Sequence, residues 1–221
     1  MSGGPANFES ERRLLVKRLS ESGVIKESDP VFNALLKVPR EEFVLSWMKQ
    51  LAYQDTALPL TGSATISQPT TIAIMLEALE LGKGKKVLEV GSGSGYVLAL
   101  LSEIVGKSGR VTGIEISPEL SERSKALLAR LGFLDKTHVV EVVNSDGGAG
   151  FSRNAPYDAI LVSAAARKVP EALLKQLKKN GRLVVPVGSF SWFQEMLVFR
   201  KDGKCKSLGR FAFVPLVGKE G

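Results

Sequence analysis

The stretch "VLEVGSGSGY", Val87 to Tyr96, decides how the rest of the chain is read. Four apolar or buried-strand positions run into three alternating glycines, and the apolar run "YVLALLSEIV" follows at once. This is a strand, a tight turn and a helix, the turn being glycine-rich because the backbone must bend sharply and come close to a ligand. Downstream the same alternation repeats. "KKVLEV" is a strand, "RVTGIEI" a second, and "SPELSERSKALLARLG" a helix with Ser117 as N-cap, Pro118 in its first position and Gly132 as its stop. "HVVEVV", "YDAILVSA", "RLVVPVG", "EMLVFR" and "RFAFVPLV" are further strands. Continuous Val/Ile/Leu strands separated by helices imply a parallel sheet covered on both faces. "KDGKCKSLG", with its Asp202-Gly203 turn signal, joins the last two strands as a hairpin. The expectation is an α/β, doubly wound, mostly parallel seven-stranded sheet with an antiparallel element late in the chain.

Residues 1–80 follow a different pattern and are expected to form a helical extension, with 81–221 as the sheet-bearing core of a single compact unit. In "FESERRLLVKRLSESG" the apolar positions Phe8, Leu14, Leu15 and Leu19 fall near helical spacing, and Gly23 ends the run. The segment Arg167 to Arg182 is expected to be an amphipathic helix whose lysines face solvent and whose Leu173, Leu174 and Leu177 face inward. That solvated face accounts for much of the net charge of +7. No aromatic residues interleave with it, as a groove for single-stranded nucleic acid would require.

The rare residue types narrow the chemistry. Cys205 is the only cysteine and His138 the only histidine among 221 residues. An internal disulfide, a clustered-cysteine metal site and a histidine-rich metal site are excluded, and the lone histidine weakens a hydrolase triad. Neither a membrane-spanning run nor a signal-peptide centre is present, so a cytoplasmic protein with no metal and no membrane partner is expected.

The glycine turn does not fit a dinucleotide fingerprint. Counting G-x-G-x-x-G from Gly91 places Tyr96 where the third glycine belongs, and counting from Gly93 places Leu98 there. The pattern E-x-G-x-G-x-G instead resembles the first motif of class I S-adenosylmethionine-dependent methyltransferases. On that resemblance Glu89 accepts from the methionine ammonium, Gly91, Ser92 and Gly93 make room for the ligand, and Glu115, with Ile116 beside it, takes the ribose hydroxyls. Asp146 and Gly147 of "NSDGGAG" correspond to the adenine site. Each acid also has a plain reading, Glu115 as a strand-end charge and Asp146 as a turn residue; their positions at the ends of successive strands favour the joint functional reading.

"TGSATISQPT", Thr61 to Thr70, lies well ahead of this motif. Pro69 suits the first turn of a helix, and residues around Ser67 and Gln68 are placed to cap it, leaving the helix N-terminus as an anion site. Capping alone would explain Ser67. Taken with "VPREEFV", "AYQDTALPL", "APYDAILVSAAA" and "FVPLVG", however, "ATISQP" resembles the protein-L-isoaspartate (D-aspartate) O-methyltransferase family over nearly the whole chain. The resemblance implies methyl transfer to the free α-carboxylate of isoaspartyl residues, and less efficiently of D-aspartyl residues, in damaged proteins. It makes Ser67 the active-site residue, S-adenosylmethionine the donor and S-adenosylhomocysteine the product.

Thr65, Ile66 and Ser67, together with Ser163 and Ala164 of "VSAAA" and Val187 of "VPVG", are then expected to line a peptide cleft. Small residues there would equally serve tight strand packing. Asp55 borders the entrance or makes a turn. Two alternatives remain open at this level: an RNA methyltransferase of the same fold, for which "VSAAA" stands where a base-binding motif would be, and a cofactor-binding module without catalysis.

Overall fold

A computed structural model describes residues 7–134, 140–189 and 193–218. The chain opens with α1 (Phe8–Glu21), capped by the Asn7 side chain, and α2 (Pro30–Lys37). Short 3-10 helices follow at Arg40–Glu42 and Ser46–Leu51. A two-stranded hairpin of β1 (Leu58–Pro59) and β2 (Thr65–Ile66) leads into α3 (Pro69–Ala78). The sheet region then runs β3 (Lys86–Val90), α4 (Tyr96–Val105), β4 (Arg110–Glu115), α5 (Pro118–Arg130), β5 (Val140–Asn144), β6 (Tyr157–Val162), α6 (Glu171–Lys175), β7 (Leu177–Val187), β8 (Gln194–Arg200) and β9 (Cys205–Phe211).

Seven strands form one sheet in the order β5-β4-β3-β6-β7-β8-β9. The first five are parallel, while β7–β8 and β8–β9 are antiparallel. The order reverses on either side of β3, and in such sheets the crevice at the reversal is where ligands bind. The glycine turn leaves β3 at that point. One sheet face packs against α1, α2, α3 and α4 through a single apolar cluster that joins Leu15, Leu35, Ile72, Leu98 and Leu101 to Val87 and Val111. Residues 7–80 thereby share a core with the sheet. The opposite face carries a second cluster around Leu88, Ile114, Ile160 and Leu183. With both faces covered, the strands have no reason to alternate, which is why they read as continuous apolar runs.

Several sequence expectations hold locally. Ser117 accepts the Leu120 N–H at 3.3 Å and Pro118 opens α5, whose end is marked by Gly132 in the left-handed region. The hairpin between β8 and β9 turns at Gly203, also left-handed.

Others are corrected. Leu14 faces solvent at 48% exposure, and Val16 takes the inward position beside Leu15 and Leu19. The helix expected from Arg167 to Arg182 shrinks to the five residues of α6, and Leu177 begins β7. Tyr157 pairs with Leu177 but Ala159 pairs with Arg182, so residues 178–181 bulge out of register. The bulge lets Lys178 reach Asp158 at 2.7 Å, a contact a helix would not have made. The last strand is shifted as well: β9 starts at Cys205 rather than Arg210, and the chain leaves the sheet after Phe211. His138 lies outside the described residues.

Candidate active site

The turn Gly91-Ser92-Gly93-Ser94-Gly95 holds all three glycines at positive φ, 80°, 49° and 83°, which L side chains rarely adopt. Gly91 and Ser92 donate N–H bonds to the Ile114 carbonyl, at 2.8 and 3.0 Å, so the turn lies against the end of β4. There Glu115, 6% exposed, accepts from Gly93 N–H at 2.8 Å through one oxygen and from Ser117 N–H at 2.9 Å through the other. One carboxylate thus joins the glycine turn to the start of α5. Its strand-end reading and its functional reading are compatible, because both oxygens retain acceptor capacity.

Glu89 is 1% exposed near the C-terminal end of β3. Ser163 Oγ donates to its Oε1 at 2.8 Å, while Oε2 is buried without a partner. Burial pushes its carboxyl up to about 8, against the pull of the Ser163 hydrogen bond and with a smaller upward push from Glu115. An orphaned buried oxygen beside a glycine turn suits a ligand carrying a cationic group, which would complete the hydrogen bonding and draw off the proton.

The glycine turn, Glu115 and Ser163 border a cavity of about 310 Å³ that Ile116, Gly147 and Ala164 also line, with Thr61 to Thr65 along one side; Glu89, Ser92 and Asp146 do not line it. Ile116 is 41% exposed at its edge. A side chain at Gly147 would collide with Val90, so the glycine keeps this wall thin. Asp146 turns its Oδ1 onto Gly148 N–H at 2.9 Å and sits beside that wall. Ser92, 5% exposed, packs beneath the turn with its hydroxyl unpartnered.

One wall was missed by sequence reading. Val214, Pro215, Leu216 and Val217, expected as strand, line the same cavity. Ala165 N–H donates to Val214 O at 2.8 Å and Leu216 N–H to Ala165 O at 2.7 Å, so the segment is strapped across the end of β6. Buried Gln194 holds its start by accepting Phe213 N–H at 2.8 Å. The signal available in the sequence is Pro215, which demotes a strand.

A second cleft, about 530 Å³, adjoins the first and is lined by Ser67, Gln68, Thr70, Phe193, Phe211 and Phe213 among others. Thr65, Ser163 and Val214 line both cavities. The two spaces therefore meet across a wall of three small or medium side chains, with Ser67 on the far side of it.

Ser67 does not cap α3. The N-cap is Gln68, whose side chain makes no cap bond. The helix N-terminus is closed by Asp55, which accepts Thr70 N–H at 2.9 Å, Thr70 Oγ1–H at 2.6 Å and Gln68 Nε2–H at 3.0 Å. The expected anion site at this helix end is thus filled by the chain's own carboxylate. Ser67 is held by its main chain: its carbonyl accepts Arg40 Nη2–H at 3.0 Å, while Arg40 Nε–H goes to Ala52 O at 2.8 Å. Arg40 is fully buried and lies 5.2 Å from the Tyr96 ring centroid, so the serine loop is tied to the first turn of α4.

The remaining expected cleft residues divide. Thr65, Ser163 and Ala164 line the cavities, whereas Ile66 is buried in the core at 3% and Val187 packs with the second apolar cluster. The backbones of "VSAAA" and "VPVG" are also joined to each other. Ala166 N–H donates to Pro186 O and Gly188 N–H to Ala166 O, so the two segments use those groups on each other.

A cationic ligand group held at Glu89 would make ligand affinity depend on pH. Its folded value of about 8 lies above the ordinary 4.5, so its contribution to ligand-free stability is full below pH 4.5 and is lost as the pH rises through 8. Binding of a cationic group requires the ionised form. Affinity for S-adenosylhomocysteine should therefore rise from pH 6 to 8, with proton release seen as buffer-dependent heats in calorimetry. Glu89→Gln should flatten the profile; a flat wild-type profile would show that the carboxyl is already ionised.

The family model for protein-L-isoaspartate(D-aspartate) O-methyltransferase matches residues 10–221. A protein-L-isoaspartate O-methyltransferase of Ignicoccus hospitalis is 45% identical over 216 residues, covering 96% of this chain and 100% of the relative. One from Archaeoglobus fulgidus is 44% identical over 220 residues, covering 97% and 96%. A solved protein-L-isoaspartate O-methyltransferase superposes with a TM-score of 0.83 at 35% identity, covering 95% of this chain and 67% of that one. A Plasmodium falciparum structure assigned the same activity, in complex with S-adenosyl-L-homocysteine, gives 0.80 at 27% identity, covering 96% and 99%. With a family model spanning nearly its whole length and relatives of this similarity, the chain belongs to the protein-L-isoaspartate(D-aspartate) O-methyltransferase family.

Proposed function

We propose that this chain transfers a methyl group from S-adenosylmethionine to the free α-carboxylate of L-isoaspartyl, and less efficiently D-aspartyl, residues in damaged proteins. The observation that carries the reading is the shared wall: Thr65, Ser163 and Val214 border both the cavity at the glycine turn and the cleft holding Ser67. When bound, S-adenosylmethionine supplies an already activated methyl group. In this reading Glu89, Glu115, Ile116, Asp146 and the Gly91 to Gly93 turn hold the donor, and Ser67 orients the acceptor.

Few groups are required of the protein. The acceptor carboxylate is ionised at neutral pH, so no general base is needed to prepare it. The work left is to bring the acceptor to the shared wall in line with the methyl and to strip water from it. Ser67 donates one hydrogen bond to the carboxylate, and Arg40 fixes the main chain from which it does so. Ser163 is committed to Glu89 by its hydroxyl and thereby couples the donor side to the wall. Proteins bearing isoaspartyl sites are the partners this reading names, and the cytoplasm is the compartment it assigns.

The ester so formed is an intermediate in repair. The neighbouring backbone nitrogen attacks it, methanol leaves, and the resulting succinimide hydrolyses in part to normal aspartyl. Incubating an isoaspartyl peptide with enzyme and donor should convert it progressively to the aspartyl peptide, followed by chromatography, with methanol released in step. Accumulation of a stable methylated product, or label entering RNA instead, would contradict the reading.

A further inference from the structure

The cleft that holds Ser67 has one charged side chain among its described lining residues, Arg210. It stands near the end of β9, at the edge of the sheet, and is exposed. Its register partner across β8 is Glu195, yet no ion pair joins them, and no partner of the guanidinium is found among the described residues. Beside it are three aromatic rings, Phe193, Phe211 and Phe213, of which Phe193 is 62% exposed. An unpaired planar fork next to apolar surface is suited to a carboxylate on a peptide that also lays side chains on the rings.

Which carboxylate follows from position. The reacting group has to reach the wall of Thr65, Ser163 and Val214, and Arg210 borders only the outer cleft. It therefore meets a neighbour of the modified residue. We propose that Arg210 is a specificity residue that favours isoaspartyl sites flanked by an acidic side chain. The inference rests on the methyl-transfer reading given above and adds to it the sequence context of the substrate.

The experiment uses isoaspartyl peptides of one sequence in which each position from three before to three after the modified residue is in turn Glu, Gln or Lys. At one or two positions wild-type enzyme should show KM lower for Glu than for Gln by roughly two- to fivefold, the range of a solvent-accessible ion pair, with Lys worse than Gln and the difference reduced by salt. Arg210→Ala should abolish the Glu-to-Gln ratio and Arg210→Glu should invert it, with S-adenosylhomocysteine thermal shifts confirming that both variants fold. A ratio that persists in Arg210→Ala, or no discrimination at any position in the wild type, would overturn the proposal. Failure of the wild type to methylate any of the peptides would instead overturn the methyl-transfer reading beneath it.

Discussion

Glu115→Ala should abolish the thermal response to S-adenosylhomocysteine. A ligand that binds only the folded state at a hundred times its Kd stabilises it by about 2.7 kcal/mol, and in a chain of this size that is about 5 to 10 °C in Tm. The wild type should show such a shift. In the variant it should vanish for two reasons. On the proposed reading the ribose hydroxyls lose their acceptor, and the Gly93 and Ser117 N–H groups, now bound at 2.8 and 2.9 Å, lose the carboxylate that sets the shape of the turn. The second effect also lowers the ligand-free Tm, since a buried donor left unsatisfied costs about 1 to 3 kcal/mol. Glu115→Gln separates the two, keeping an acceptor for one donor while removing the charge. A full response in Glu115→Ala, or a shift produced by NADH and not by S-adenosylhomocysteine, would show that the glycine motif serves another ligand.

Ser67→Ala should slow methyl transfer by roughly ten- to a hundredfold, the equivalent of a hydrogen bond to a charged group worth about 1.5 to 3 kcal/mol. Stability should barely change, because the α3 cap is provided by Asp55 and the Arg40 bond is to the Ser67 carbonyl, which alanine retains. Affinity for S-adenosylhomocysteine should also be nearly unaltered, as Ser67 borders the outer cleft and not the cofactor cavity. Ser67→Thr keeps the hydroxyl while adding a methyl group near the shared wall, so it should recover part of the rate. An alanine variant with full activity and a lowered Tm would return the residue to a structural role and leave the main-chain N–H groups around it to hold the acceptor.

Sequence reading reached the central sheet and the cavity at the glycine turn because those features are local. A buried parallel strand announces itself as an apolar run, and Gly91, Gly93, Glu115 and Gly147 lie at strand ends that the alternation of elements already locates. What it missed depends on contacts between distant segments. The α3 cap looked like Ser67 or Gln68 because capping is usually sought within a few residues, whereas Asp55 comes from 15 residues before Thr70. The lysine-rich stretch after Gln176 has helical spacing, but pairing of Leu177 with Tyr157 and of Lys178 with Asp158 draws it into the sheet. The segment after Phe211 is apolar enough for a strand, yet its backbone bonds go to Ala165 and Gln194, which turn it into a cavity wall. Arg40 read as one residue of a motif; only the fold shows it buried and bound to the Ser67 carbonyl.

The most direct test is the initial rate of tritiated methyl transfer to an isoaspartyl peptide beside its aspartyl twin, identical in sequence, charge and mass. The isoaspartyl form carries one more methylene in the main chain and presents an α-carboxylate where the twin presents a side-chain carboxylate. Only the former should bring its carboxylate to the wall of Thr65, Ser163 and Val214 with the flanking backbone seated in the cleft. The account predicts base-labile label on the isoaspartyl peptide and little or none on the twin, with the rate on the former falling in Ser67→Ala. Equal rates on the two peptides would contradict it.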